Sequence, residues 1–188
     1  MTNIFIEGTV VSEPTYSHES HGEKFYEVCV ASLRKSDYSD TITVVVPELL
    51  AEGFRVLEEV AFIGEVRTRN EDGHLKIYAF AKELCEVSGL HDNKVTITGF
   101  ICKEPTYRET PLGRQISDVV LASNRPFGSD YIPCILWGRN AKKVSVYPVG
   151  TELEISGRLQ SRRYQKRIGD ALLDMTAYEV SVSEVQKI

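Results

Sequence analysis

The tetrapeptide Glu13-Pro14-Thr15-Tyr16 recurs 91 positions later as Glu104-Pro105-Thr106-Tyr107, and the likeness extends in both directions from it. Residues 4–46 lie over 95–137 without a gap and share 11 identities in 43 positions. Besides the tetrapeptide these are Ile6/Ile97, Gly8/Gly99, Gly22/Gly113, Val28/Val119, Ala31-Ser32/Ala122-Ser123 and Arg34/Arg125. After a two-residue insertion the register resumes with Ile63-Gly64-Glu65-Val66 over Ser156-Gly157-Arg158-Leu159, and it closes with Glu86-Val87 over Glu184-Val185. Self-similarity at a fixed offset along a whole chain marks a duplicated unit. The 188 residues therefore divide into units 1–88 and 93–188, each of small-domain size. The short polar segment Ser88-Gly89-Leu90-His91-Asp92 is the linker.

Within each unit apolar residues alternate with a period of two, in runs rich in Val, Ile, Thr and aromatics, which predicts strands. In the second unit these fall near 94–102, 114–124, 130–137, 152–164 and 174–183, with a short helix between Arg139 and Tyr147. The first unit repeats the pattern, with Pro47-Glu48 opening a helical stretch to Leu57. Five strands with a helix between the third and fourth predict an all-β fold with short helices: two tandem five-stranded Greek-key barrels of the OB type. An immunoglobulin-like sandwich would need about seven strands and no helix there.

With 42% hydrophobic and 26% charged residues the chain has the make-up of a globular protein with a buried core. Its apolar runs are too short for a membrane helix, and its first ten residues lack the basic and apolar segments of a signal peptide, so the expected address is cytoplasmic, without membrane association. Cys29, Cys85, Cys102 and Cys134 form no Cys-x-x-Cys pair, and His18 and His21 have no further ligands to complete a zinc site, so no metal and no cofactor is expected. Phosphate-binding loops, zinc helices, nucleophile elbows and dinucleotide turns are all absent, so an enzyme is not expected.

The informative surface lies in the second unit. The stretch 130–137 places Ile132, Cys134 and Leu136 on one face and Tyr131, Pro133, Ile135 and Trp137 on the other, so both faces are apolar. In the next strand Leu153, Ile155, Gly157 and Leu159 form a core face, which leaves Glu154, Ser156, Arg158, Gln160, Arg162 and Tyr164 outward. Arg163, Lys166 and Arg167 continue the positive charge, and Arg125 with Phe127 precedes the third strand. Cations along a track and flat rings are what single-stranded nucleic acid requires, for its phosphates and its unstacked bases respectively. Charge by half agrees: residues 1–90 carry 8 Lys and Arg against 16 Asp and Glu, whereas residues 91–188 carry 14 against 11. The net −5 thus conceals a basic second unit. The same rings would also serve a protein–protein module of the primosome type whose aromatic face docks a partner.

The second unit resembles the bacterial single-stranded DNA-binding protein (SSB) family. The resemblance is carried by Asn93-Lys94-Val95, Glu104-Pro105-Thr106-Tyr107-Arg108, Leu112-Gly113-Arg114, Leu121-Ala122-Ser123, Trp137-Gly138 and Gly157-Arg158-Leu159-Gln160-Ser161-Arg162 leading to Tyr164. It implies a single-stranded DNA-binding OB fold with little sequence preference, serving replication, recombination or repair. Phe127, Tyr131, Trp137 and Tyr164 stand at the family's stacking positions, with Arg125, Arg158, Arg162, Arg163 and Lys166 as phosphate partners. Single-stranded RNA offers the same π-faces. Carried through the internal alignment, the four stacking positions become Ser36, Asp40, Val46 and Glu71, so the first unit reads as a degenerate copy serving assembly. Family members commonly assemble four OB folds, which for two folds per chain implies a homodimer. They also commonly carry a Gly/Pro/Gln-rich tail with an acidic tip that recruits partners; the residues Val185-Gln186-Lys187-Ile188 do not match it.

Overall fold

The computed structural model describes Met1–Ile188 in full. The first half contains strands β1 (Thr2–Val10), β2 (Thr15–Ser20), β3 (Glu23–Leu33), β4 (Ser39–Pro47), β5 (Glu59–Glu71) and β6 (His74–Cys85), with helix α1 (Glu48–Ala51) between β4 and β5. The second half repeats them as β7 (Asn93–Ile101), β8 (Thr106–Glu109), β9 (Gln115–Arg125), β10 (Gly128–Trp137), β11 (Glu152–Ile168) and β12 (Ala171–Lys187), with helix α2 (Gly138–Val144) between β10 and β11. In each half the ladder closes as an OB barrel. Strand β1 pairs with both β3 and β5, β3 with β4, β4 in parallel with β6, and β6 with β5. The second half makes the same pairings among β7, β9, β10, β11 and β12.

Two details differ from the pattern read in the sequence. A sixth strand, β2 or β8, folds back on the following strand as a short antiparallel edge. The helical stretch expected from Pro47 to Leu57 shortens to four residues, because the chain turns at Gly53-Phe54 and plugs Phe54 into the core.

The two barrels are fused by a pseudo-two-fold junction. Strands β1 and β7 pair antiparallel with Ile4 opposite Val95, the very residues that the internal repeat equates. The junction contacts are mirrored: Glu7 N donates to Asp92 O at 2.7 Å, and Thr98 N donates to Met1 O at 2.8 Å. One apolar cluster, from Ile4 and Ile6 through Val95 and Ile97 to Val182, runs through both barrels.

The linker is fastened. Glu7 is fully buried and accepts hydrogen bonds from Ser88 N (2.9 Å), Ser88 Oγ (2.8 Å) and His91 N (3.2 Å). Burial pushes the Glu7 carboxyl up, but the Ser88, His91 and Leu90 donors outweigh it and bring its pKa down to about 2. No helix is long and apolar enough to cross a membrane.

Candidate nucleic-acid interface

Strand β10 follows the expected alternation at most positions: Ile132, Cys134 and Leu136 enter the core and Tyr131 and Trp137 lie exposed on the opposite face, but Ile135, expected on that outer face, is buried. Trp137 ends the strand because the next residue, Gly138, takes φ 55°, a conformation that L side chains rarely adopt, and starts α2 there. Phe127 sits at the tip of the tight β9–β10 turn and is 93% exposed. Tyr164 lies on the outward row of β11 with Arg162, opposite Met175 of β12, and is 37% exposed. None of these four rings stacks on another; the ring–ring pairs of the chain all lie in the first barrel. Each of the four therefore offers its own platform.

The cations divide into two groups. Arg163 and Lys166 are exposed and form no ion pair, whereas Arg125, Arg158 and Arg162 are engaged. Arg162 Nε lies 3.2 Å from Glu179 Oε1, with its guanidinium 5.7 Å from the Tyr164 ring centroid. Glu179, buried on the outward face of β12, also accepts from Gln160 Nε2 at 3.1 Å. It thus orients the arginine beside the tyrosine.

Arg158 departs from the expectation of an open groove. Its Nη2 lies 2.8 Å from Oδ2 of Asp40, a residue of the first barrel with no exposed surface. Asp40 also accepts from Arg34 Nε (2.7 Å), Arg34 Nη2 (2.5 Å) and Ser161 N (3.0 Å). The pseudo-two-fold repeats this with Asp130, which accepts from Thr68 N (2.8 Å) and approaches Arg67 (3.4 Å) and Arg125 (3.2 Å). Gln160 and Ser161 are buried for related reasons, by Glu179 and by Asp40, rather than alternating between core and solvent. Each barrel inserts one aspartate into the other.

These ladders correct the internal alignment. Ser32 pairs with Asp40 as Ser123 pairs with Asp130, so the equivalent of Asp40 is Asp130 and not Tyr131. The turn of the first copy holds one residue more, so an ungapped alignment runs one position out of step along the following strand and matches inward residues with outward ones. Tyr131 corresponds to Thr41 and Trp137 to Pro47. The first barrel still lacks rings at these positions, but Asp40 is a buried anchor and does not face a phosphate track. Glu71, the counterpart of Tyr164, pairs with Lys76 (3.0 Å) and Arg69 (3.2 Å); the Lys76 hydrogen bond leads in holding its carboxyl below the usual range.

Sequence reading missed three contributors. Arg114 lines a hollow of about 380 Å³ beside Trp137. Glu179 holds Arg162, and the β11–β12 hairpin runs to Ile168–Ala171, four residues per strand beyond its counterpart, which ends at Glu71–His74. The chain assembles no group of three or more His, Cys, Asp and Glu suited to a metal.

Residues 92–188, just over half of the chain, match the single-strand binding protein family. Single-stranded DNA-binding protein 1 of Staphylococcus aureus is 36% identical over 85 residues, covering 41% of this chain and 51% of that protein. Single-stranded DNA-binding protein B of Bacillus subtilis is 34% identical over 85 residues, covering 41% of this chain and 75% of that protein. The chain spans about half the length of most of the relatives it matches. The crystal structure of the wild-type single-stranded DNA binding protein from Thermus aquaticus superposes with a TM-score of 0.77 at 17% identity, covering 100% of this chain and 93% of that one. That likeness extends the tandem fold over both halves. By the match of its second barrel, the chain belongs to the single-strand binding protein family.

Proposed function

We infer that this protein is a binder, not an enzyme, that coats single-stranded DNA with little sequence preference during replication, recombination or repair in the cytoplasm. The observation that carries the reading is the outer face of the second barrel. Phe127, Tyr131, Trp137 and Tyr164 stand there as separate exposed platforms, flanked by Arg162, Arg163 and Lys166. Bases stack on such rings, while cations take the phosphates. The names of the relatives support the same ligand. Arg125 and Arg158, paired with Asp130 and Asp40, add partly exposed guanidinium groups to the same barrel.

In this reading the first barrel, residues 1–88, is the assembly unit. The sheet surface across β5, β1 and β7 carries partly exposed Ile63 and Phe5 around a hollow of about 350 Å³ that Glu65, Lys82 and Lys94 also line, a mixed face that a second copy could cover. A homodimer of four barrels follows, and sedimentation equilibrium should return about twice the 21.2 kDa chain mass.

Trp137, the only tryptophan, supplies the test. Titration with an oligothymidine of about 35 nucleotides should quench its fluorescence saturably, and binding should weaken as salt rises. Absence of both quenching and binding at low salt refutes the reading and favours a protein partner for the aromatic face. Stronger binding to the matching oligouridine redirects it to RNA.

A further inference from the structure

A cleft of about 640 Å³ lies at the junction of the barrels and is lined by both of them and by the linker. Arg34 and Lys35 come from the first barrel, His91 from the linker, and Gly157, Arg158 and Ser181 from the second. Ser181 stands opposite Ile135 of β10 and opposite Arg158 of β11, so the cleft continues directly from the strands that carry the exposed rings.

Its chemistry is that of an anion site. Arg34 and Arg158, one from each barrel, are held on the single buried carboxylate of Asp40. Arg34 spends Nε and Nη2 on protein acceptors and Arg158 spends only Nη2, which leaves an Nη1 on each guanidinium without a protein partner. A guanidinium fixed by one carboxylate keeps its charge and its remaining N–H groups oriented for a second oxyanion. Lys35 is exposed and forms no ion pair. Asp37 and Asp92 also line the cleft, and Asp92 is bonded to Lys94 at 2.6 Å. The only two buried side-chain nitrogens of the chain that lack a partner, Arg158 Nε and His91 Nδ1, both belong to residues of this cleft. Buried polar atoms rarely go unpaired, so their coincidence at one place marks it.

Resting on the single-stranded DNA reading, we propose that the cleft is a phosphodiester subsite: the strand leaves the aromatic face and passes between the barrels, where Arg34, Lys35 and Arg158 hold its backbone. The otherwise acidic first barrel then contributes to binding at this one place.

The test uses the full chain, oligothymidine and inorganic pyrophosphate as probes. Lys35→Gln should reduce the slope of log K against log salt by about 0.7, the value of one lost phosphate contact on a single strand, with quenching of Trp137 at saturation unchanged. Arg158→Gln, checked for folding by its melting curve, should do the same. Oligothymidine should also shift the His91 ring resonances in NMR. Unchanged slopes for both variants, in a protein that binds and quenches normally, overturn the subsite alone. Failure of the unsubstituted protein to bind overturns it together with the DNA reading. A His91 shift with pyrophosphate but none with oligothymidine assigns the cleft to a free anion and likewise overturns the proposal.

Discussion

Replacing Asp40 by Ala should destabilise the whole chain, not the first barrel alone. The carboxylate has no exposed surface and accepts three contacts from two guanidinium groups and one from the Ser161 backbone. Its removal leaves two cations and a buried N–H without their acceptor. Breaking a buried pair by deleting one partner costs about 3–5 kcal/mol. The Arg34 and Arg158 side chains are 24% and 28% exposed and can recruit water, so the lower end, about 3 kcal/mol, applies here. At about 2–4 °C per kcal/mol for a chain of this size, the melting temperature falls by about 6–12 °C. Urea unfolding followed by circular dichroism measures the loss. Asp130→Ala should cost less, because its arginine contacts are longer, at 3.2 and 3.4 Å. Substituting Arg34 and Arg158 by Met together with Asp40→Leu should recover much of the loss, since an apolar set of similar size leaves no charge unpaired. A cost for Asp40→Ala below about 1 kcal/mol would refute the claim that this aspartate locks the barrels together.

Trp137→Ala and Tyr164→Ala should each weaken oligothymidine binding by about 1–3 kcal/mol, roughly 5- to 150-fold, and leave the salt slope unchanged; a flattened slope would mean that the rings do not act by stacking. Glu179→Gln removes the charge that restrains Arg162, so the salt dependence should steepen by up to about 0.7, and an unchanged slope would show that Arg162 never reaches a phosphate. Glu7 supports folding through a depressed pKa: unfolded it takes up its proton near 4.5, folded near 2, so its contribution is complete above 4.5 and disappears as pH falls toward 2. The difference in urea midpoint between the natural chain and Glu7→Gln should accordingly shrink between pH 6 and pH 3, and a gap independent of pH counts against this role. At Gly157 a Cβ would fall 2.1 Å from the Ser181 carbonyl oxygen, where β11 bulges, so Gly157→Ala must displace backbone and should lower the melting temperature; a neutral effect would show that the bulge can relax.

The duplication and the barrel order were legible because they are written in local signals. Strand periodicity, the Pro47-Glu48 helix start and the paired glycines each act within a few residues. Gly64 and Gly157 occupy the same bulge in the two copies, where a side chain would strike the carbonyl of Phe80 or Ser181. The exposure of Tyr131 and Trp137 was legible for a similar reason, since alternation along β10 places them opposite the core. What stayed hidden depends on contacts between distant segments. Asp40 and Asp130 look like solvated charges until the other barrel is packed against them. Gln160 and Ser161 lose their alternation because Glu179 and Asp40 cover both sides of β11. The one-residue difference between the turns at 34–38 and 125–128 left no mark in an ungapped alignment, yet it sets that alignment one position out of step along the following strand and so matches core positions with outward ones.

Comparison of the copies separates what the junction demands from what the outer face is free to become. Arg34/Arg125 and Asp40/Asp130 are identical in both, and Thr68 and Ser161 both offer a backbone N–H to the opposite aspartate. A pseudo-two-fold junction uses each element twice, so loss of either aspartate strands the arginines around it. The outer face has no such double duty. In the second barrel it carries four rings and a long basic hairpin; in the first, Thr41 and Pro47 replace two rings and Glu71 replaces a third. The charges of the halves, −8 and +3, then give a strand a direction. A polyanion is drawn to the second barrel and repelled by most of the first. At the junction, where Arg34 and Lys35 stand beside Arg158, the first barrel presents cations to it. The contact that fuses the barrels is therefore also the place where the acidic copy can take part in binding.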